Sequence, residues 1–252
     1  MHHFLSKTLT LFLFLFANFA HAETVNVFFA GGQSNAKLEW ANGIEAALVN
    51  SNRYENVLVV HEIHSGNWLQ SWYLDGAQQD NYRSDFFNAS GTGALQTALT
   101  GANTVFSGFF WFQGEGDSGW SVARDAYAER FNGMLNDILA STPNIDKNFQ
   151  TAFSIIDAEY DNYELPGGRT PADINAMRDV LFSMAGDNHY DTRGLERTDI
   201  FHLTPDALFT AGYGLGDTFA TTPVPLPAAF WLLFSAVMGL FFSKKKTKHH
   251  IA

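Results

Sequence analysis

The sequence predicts an α/β domain in which helices cover both faces of an open, doubly wound parallel sheet. Three observations point there. Short apolar runs rich in β-branched and aromatic residues recur along the chain, with helical patterns between them, so strand and helix alternate. The runs are near-continuously apolar rather than alternating, which fits strands covered on both faces. About 200 residues lie between two atypical ends, enough for one domain with a sizeable core.

Taken in order, residues 24–30 (TVNVFFA) read as the first strand, and 38–50 as a helix. Residues 57–63 (VLVVHEI) form the second strand and 93–99 a short helical stretch. The third strand is 104–112 (TVFSGFFWF). The clearest helix follows at 120–140, where Val122, Ala126, Tyr127, Met134, Leu135, Ile138 and Leu139 fall largely on one face and Pro143 lies just beyond the end. Residues 151–156 (TAFSII) give a fourth strand and 172–185 another helix. No internal repeat or second domain is visible.

The ends differ from the body. Residues 1–22 carry Lys7, an apolar run and the small-x-small site Ala20-His21-Ala22, the layout of a secretory signal peptide cut after Ala22. The domain proper is expected at 23–220, followed by a stiff Pro/Thr linker at 221–227. Residues 226–242 are a 17-residue apolar run, at the short limit for a membrane-spanning helix, with Lys244, Lys245, Lys246 and Lys248 behind it. Residues 224–248, with Val224-Pro225-Leu226-Pro227-Ala228 ahead of the helix and lysine cluster, resemble a PEP-CTERM sorting signal of the VPLPA type. That resemblance implies signal peptidase and an exosortase-type enzyme as partners. It also implies export in a Gram-negative bacterium, with at least transient membrane anchoring through the tail and a final place at the cell surface or outside it.

Composition excludes several function classes. Residues 23–222 hold all 26 acidic residues but only 10 of the 15 basic ones, a net of −16. Such a body repels polyanions and argues against nucleic-acid binding. With no cysteine there is no thiolate nucleophile and no cysteine-ligated metal.

In doubly wound sheets the chemistry gathers in loops at the carboxyl ends of strands. After the first strand stands Gly31-Gly32-Gln33-Ser34-Asn35-Ala36, whose glycines allow a tight turn that exposes a serine hydroxyl. The backbone N–H of Ser34 is then placed to meet a developing oxyanion. Such a serine needs a base and the base an orienting carboxylate. Asp199-Ile200-Phe201-His202 supplies both, three residues apart. After the third strand, Gln113-Gly114-Glu115-Gly116-Asp117 offers a side-chain amide suited to an oxyanion, and after the second strand Gly66 offers a backbone N–H. Taken singly, each segment also reads as an ordinary turn or βα loop.

Together the blocks GGQSN, WFQGEGD and DIFHLTP resemble the SGNH (GDSL-type) hydrolases, closest to the sialate O-acetylesterase-like carbohydrate esterases. The resemblance spans roughly residues 25–205. It implies a flavodoxin-like single domain, Ser34 as nucleophile, His202 as general base and then acid, and Asp199 as the acid of the D-x-x-H block. It further implies an oxyanion hole from the N–H groups of Ser34 and Gly66 and the side chain of Gln113, with Glu115 bracing the loop around Gln113. No cofactor or metal is needed, and the substrate is an acetylated carbohydrate. Two departures stand out: Phe112 occupies a position where relatives often have histidine, and Gly66-Asn67-Trp68 replaces a Gly-Gly-Ser or Gly-Gly-Thr.

His61 and His64 do not form H-E-x-x-H, and an extended strand points them to opposite faces. His189, flanked by Asp187 and Asp191, lacks the D-x-x-H spacing. The acidic stretch Asp157, Glu159, Asp161 and Glu164 reads as a solvated loop. Trp68, Trp72 and Trp120 are either apolar walls for a sugar or core residues. The expected function is therefore an exported serine esterase acting on acylated carbohydrate. The alternative is a non-catalytic protein that keeps the same fold to bind exopolysaccharide.

Overall fold

The computed structural model describes residues 23–72, 93–157 and 169–222. The expected signal peptide and the sorting tail lie outside them, as does all of the linker except Thr221 and Thr222. Five strands form one all-parallel sheet in the order β2-β1-β3-β4-β5. They are β1 (Val25–Gly32), β2 (Asn56–Ile63), β3 (Thr104–Phe112), β4 (Ile145–Ile155) and β5 (His189–Asp191). This is the flavodoxin-type doubly wound order, with its topological switch between β1 and β3.

Alternation along the strands sends side chains into two apolar layers. On one face Phe28 and Phe110 pack on Phe219 of the last helix, and Trp40 packs on Phe112. On the other, Phe109, Trp111 and Phe153 surround Phe131. Helices α1 (Leu38–Asn50) and α7 (Pro205–Thr221) cover the first face; α5 (Tyr127–Ala140) lies on the second, with α6 (Pro171–Ala185) beside it. All these ring-bearing core residues are essentially inaccessible to water. The sheet is thus covered on both sides, as the near-continuous apolar runs predict.

The differences from the sequence reading have physical causes. The expected single helix at 120–140 is two, α4 (Ser121–Asp125) and α5, separated at Ala126, whose φ of −90° and ψ of 0° interrupt the helical path. β4 begins at Ile145, six residues before the apolar run, because its first half is only partly covered. β5 has three residues, too few for a periodic signal. Helix α7 is missing from the sequence reading altogether, and Thr221, assigned there to the linker, is its last residue. Three glycines within 205–221 cost helix propensity, each about 1 kcal/mol against alanine. Here they serve close packing. A Cβ on Gly212 would stand 2.0 Å from the Trp40 carbonyl oxygen, and one on Gly216 2.8 Å from Ala47 Cβ. The shorter elements are α2 (Ala94–Ala98) and α3 (Glu115–Ser118), with a 3₁₀ turn at Leu69–Trp72. Among the described residues, no helix is long and apolar enough to cross a membrane.

Strand register sets up the site. Gly32 pairs with Ile63 of β2 and with Phe112 of β3, so three strands end level and their loops lie side by side.

Candidate active site

The serine loop departs from β1 where a side chain is not tolerated. Gly32 has φ +149°, and a Cβ there would fall 2.1 Å from the Phe112 carbonyl oxygen. That same carbonyl accepts the Gln33 N–H at 3.1 Å, turning the chain across the end of β3. Gln33 then accepts at its side-chain oxygen from the N–H groups of Gly114 (3.3 Å) and Gly116 (3.2 Å), locking the first loop to the third.

Ser34 Oγ lies 2.9 Å from His202 Nε2, and His202 Nδ1 lies 2.7 Å from Asp199 Oδ2. A carboxylate only accepts, so Nδ1 carries the imidazole proton and Nε2 presents its lone pair to the serine hydroxyl. The other oxygen of Asp199 accepts the backbone N–H groups of Phe201 (2.9 Å) and His202 (2.8 Å). Partial burial pushes the Asp199 carboxyl upward, but the bond from the His202 ring and the two backbone bonds outweigh it and hold the pKa at about 2. The structure therefore brings Ser34, His202 and Asp199 into one line of hydrogen bonds. The line opens into a cleft of about 390 Å³ lined by Gln33, Ser34, Gly66, Glu115, Gly116 and His202 among others.

The three expected oxyanion donors have different surroundings. Ser34 and Gly66 both line the cleft, and neither backbone N–H is taken by a described residue. Gly66 has φ +76°, a left-handed turn that suits glycine. Gln113 is not in place. Its side chain is fully buried, its amide donates to the Asn67 carbonyl and to Asp117 Oδ2, and its oxygen accepts from the Tyr127 hydroxyl. Both amide protons are committed inward, so Gln113 acts as a brace. Its anchor Asp117 also accepts the Leu69 N–H at 3.0 Å, tying down the loop that carries Gly66. Burial pushes the Asp117 carboxyl up, against the lowering effect of the Gln113 bond.

Glu115 braces a different neighbour from the one expected. Its Oε1 accepts from Asn35 Nδ2 at 2.9 Å, and the same amide group donates to the Phe201 carbonyl at 2.9 Å. The Asn35 oxygen accepts the Leu203 N–H at 3.1 Å. Asn35 is thus a hub joining the serine loop, the Glu115 loop and the histidine loop. Sequence reasoning assigned it no role; the adjacent position in Gln33-Ser34-Asn35 was the available signal. Burial raises the Glu115 pKa, partly offset by the Asn35 bond.

A charged clamp was also missed. Asp157 is not on a solvated loop: its carboxylate accepts from Arg197 at 2.9 Å and from Arg178 at 3.5 Å. Arg197 also donates to the Phe201 carbonyl at 3.2 Å, so the clamp grips the histidine loop from below. The other acidic residues of that stretch, Glu159, Asp161 and Glu164, lie outside the described residues. The remaining histidines have different surroundings. His61 Nε2 donates to the Ala36 carbonyl at 2.6 Å, and His64 pairs with Glu62 at 2.9 Å. His189 stands at the opposite, amino-terminal end of β5 with its Nδ1 on the Gly186 carbonyl. Trp72 is wholly buried against Trp111 and His64 and forms no wall of the cleft.

Fold and site together define a doubly wound α/β domain carrying a hydrogen-bonded serine, histidine and aspartate at the carboxyl edge of its sheet. The sequence matches no family profile, and no characterised protein matches it by sequence. Solved structures do resemble it. An Arabidopsis thaliana protein aligns with TM-score 0.56 at 13% identity, over 79% of this chain and 99% of that one. A carbohydrate acetylesterase from Sinorhizobium meliloti aligns with TM-score 0.50 at 12% identity, over 77% and 98%. An α/β-hydrolase enzyme from the metagenome of Lake Arreo aligns with TM-score 0.50 at 11% identity, over 80% and 99%. At such identities the likeness establishes the fold.

Proposed function

We propose that the protein is an exported serine esterase that removes acyl groups, acetyl foremost, from carbohydrate. The single observation carrying this reading is the Ser34–His202–Asp199 line, with bonds of 2.9 and 2.7 Å, opening into a cleft. Ser34 Oγ attacks the ester carbonyl carbon as His202 Nε2 takes its proton. Asp199 holds the ring in the required tautomer and stabilises the imidazolium. The N–H groups of Ser34 and Gly66 receive the tetrahedral oxyanion. Collapse expels the sugar alcohol with the proton from His202, and water, activated by the same imidazole, releases the acyl group and restores the serine. That a carbohydrate acetylesterase shares the fold supports acetylated carbohydrate as substrate.

A non-catalytic glycan binder would need no such relay. Purified protein spanning residues 23–222 is expected to hydrolyse p-nitrophenyl acetate, and Ser34→Ala to reduce that by 10³-fold or more, on the order seen when a triad member is removed. Equal rates for wild type and variant would defeat the esterase reading.

Export is part of the proposal. It rests on the leader at 1–22 and on the PEP-CTERM-like segment at 224–248, which would bring signal peptidase and an exosortase-type enzyme to the chain. Intact-mass measurement of the mature protein from its host is expected to place the amino terminus at Glu23. A terminus at Met1 would overturn the leader assignment.

A further inference from the structure

We propose that Trp68 and Trp120 form a stacking subsite for a neutral sugar ring, placed beside the ester cleft so that the enzyme grips a glycan chain beyond the acylated residue. The proposal rests on the esterase reading and adds the substrate's shape to it. The two indoles lie with centroids 5.0 Å apart and planes tilted by 50°. Trp120 is 56% exposed, whereas Trp40, Trp72 and Trp111 are wholly buried. Trp68 is half-buried, between these extremes.

Position links the pair to the cleft. Gly116 lines the cleft with Ser34 and His202, and a Cβ on Gly116 would stand 3.0 Å from Trp68 Cδ1. Trp68 therefore packs against a residue of the cleft wall, and Trp120 packs on Trp68.

The pair is also held in place by one buried group. Asp117 is fully buried; its carboxylate accepts the N–H of Leu69, next to Trp68, and its carbonyl accepts the N–H of Trp120 at 3.2 Å. Both segments are thus fixed to a single residue, which lowers the ordering cost of binding. An indole face suits the apolar C–H face of a pyranose, while hydroxyls at the ring edge remain in water. The net charge of −16 over residues 23–222 selects a neutral glycan over an anionic one. A cleft of about 390 Å³ is at the small end of ligand pockets, so a glycan chain longer than a few rings continues past its rim.

The test compares partially O-acetylated xylotetraose with p-nitrophenyl acetate. Trp120→Ala is expected to lower kcat/KM on the tetrasaccharide roughly three- to tenfold, the scale of one aromatic contact, mainly through KM. Turnover of p-nitrophenyl acetate should stay unchanged, and Trp120→Phe should recover most of the loss. Quenching of tryptophan fluorescence by plain xylotetraose in Ser34→Ala should weaken in Ser34→Ala/Trp120→Ala. An equal loss on both substrates, or no loss on the tetrasaccharide, overturns the subsite. Quenching that depends on Trp120 in a protein that cleaves neither substrate keeps the subsite and rejects the esterase reading.

Discussion

Asp199 shows how much chemistry a single exposed residue can carry. Its side chain is 55% exposed, yet three hydrogen bonds hold its pKa at about 2. It is therefore ionised throughout the range where an esterase works, and the acid limb of activity cannot come from its protonation. In Asp199→Asn the amide can offer a donor to Nδ1, which favours the proton on Nε2, facing the serine. That tautomer cannot act as base. A buried triad loses about 10⁴-fold in kcat this way; with water able to reach this position, a loss of roughly 10²-fold is expected. Stability follows from the sign of the shift. A carboxyl whose pKa is lowered on folding stabilises the native state above its unfolded value near 3.8, and the effect disappears as pH falls through about 2. The wild type should therefore melt above Asp199→Asn at pH 5, with the gap closing towards pH 2.5. A gap independent of pH would mean that the residue does not titrate as described. At this scale the hydrogen-bonded grouping of Ser34, His202 and Asp199 was legible because a serine after a glycine turn and a D-x-x-H spacing are visible in the sequence alone. Gln113 was misread because the direction of an amide depends on distant partners, here Asp117 and Tyr127.

The same contrast recurs among the elements. Strands β1 and β3 were legible since their apolar runs need no partner to be recognised, and the loop after each followed from the topology. Helix α7 was not. Its glycines lower local helix propensity, and their purpose exists only in the packed fold, where Gly212 and Gly216 let its backbone approach α1 and Gly214 lies against the Tyr190 ring of β5. Gly212 lies nearest. A Cβ there would meet the Trp40 carbonyl oxygen at 2.0 Å, a backbone atom that moves only if the helix moves. Gly212→Ala should accordingly destabilise the fold by about 1–3 kcal/mol despite its better propensity. For a domain of this size that lowers the thermal midpoint by roughly 2–12 °C. An unchanged or higher midpoint would show that the helices have room to part. Because α7 begins at Pro205, directly after the loop bearing His202, a shift of this helix would also be felt at the base. The Asp157–Arg178–Arg197 clamp reaches the same loop at the Phe201 carbonyl. It was invisible in the sequence because its members are separated by up to 40 residues and meet only through the sheet.

For the whole molecule, charge is the remaining determinant. The basic residues outside 23–222 all fall in the two segments read as export signals, so the domain itself carries −16. A field of that size acts on the approach of substrate as well as on its fit. An anionic glycan must work against it at low ionic strength, while a neutral one meets no long-range barrier. Raising the ionic strength from about 0.01 M to about 0.15 M shortens the Debye length from about 30 Å to about 8 Å, less than the width of the domain. Hydrolysis of an acetylated, uronate-containing polysaccharide should therefore rise severalfold in kcat/KM over that range, whereas hydrolysis of acetylated xylotetraose should scarcely change. The comparison also controls for any salt effect on the Ser34–His202 pair, since such an effect would act on both substrates alike. If the two respond identically, the surface charge plays no part in choosing the substrate, and selection falls to the cleft and its rim alone.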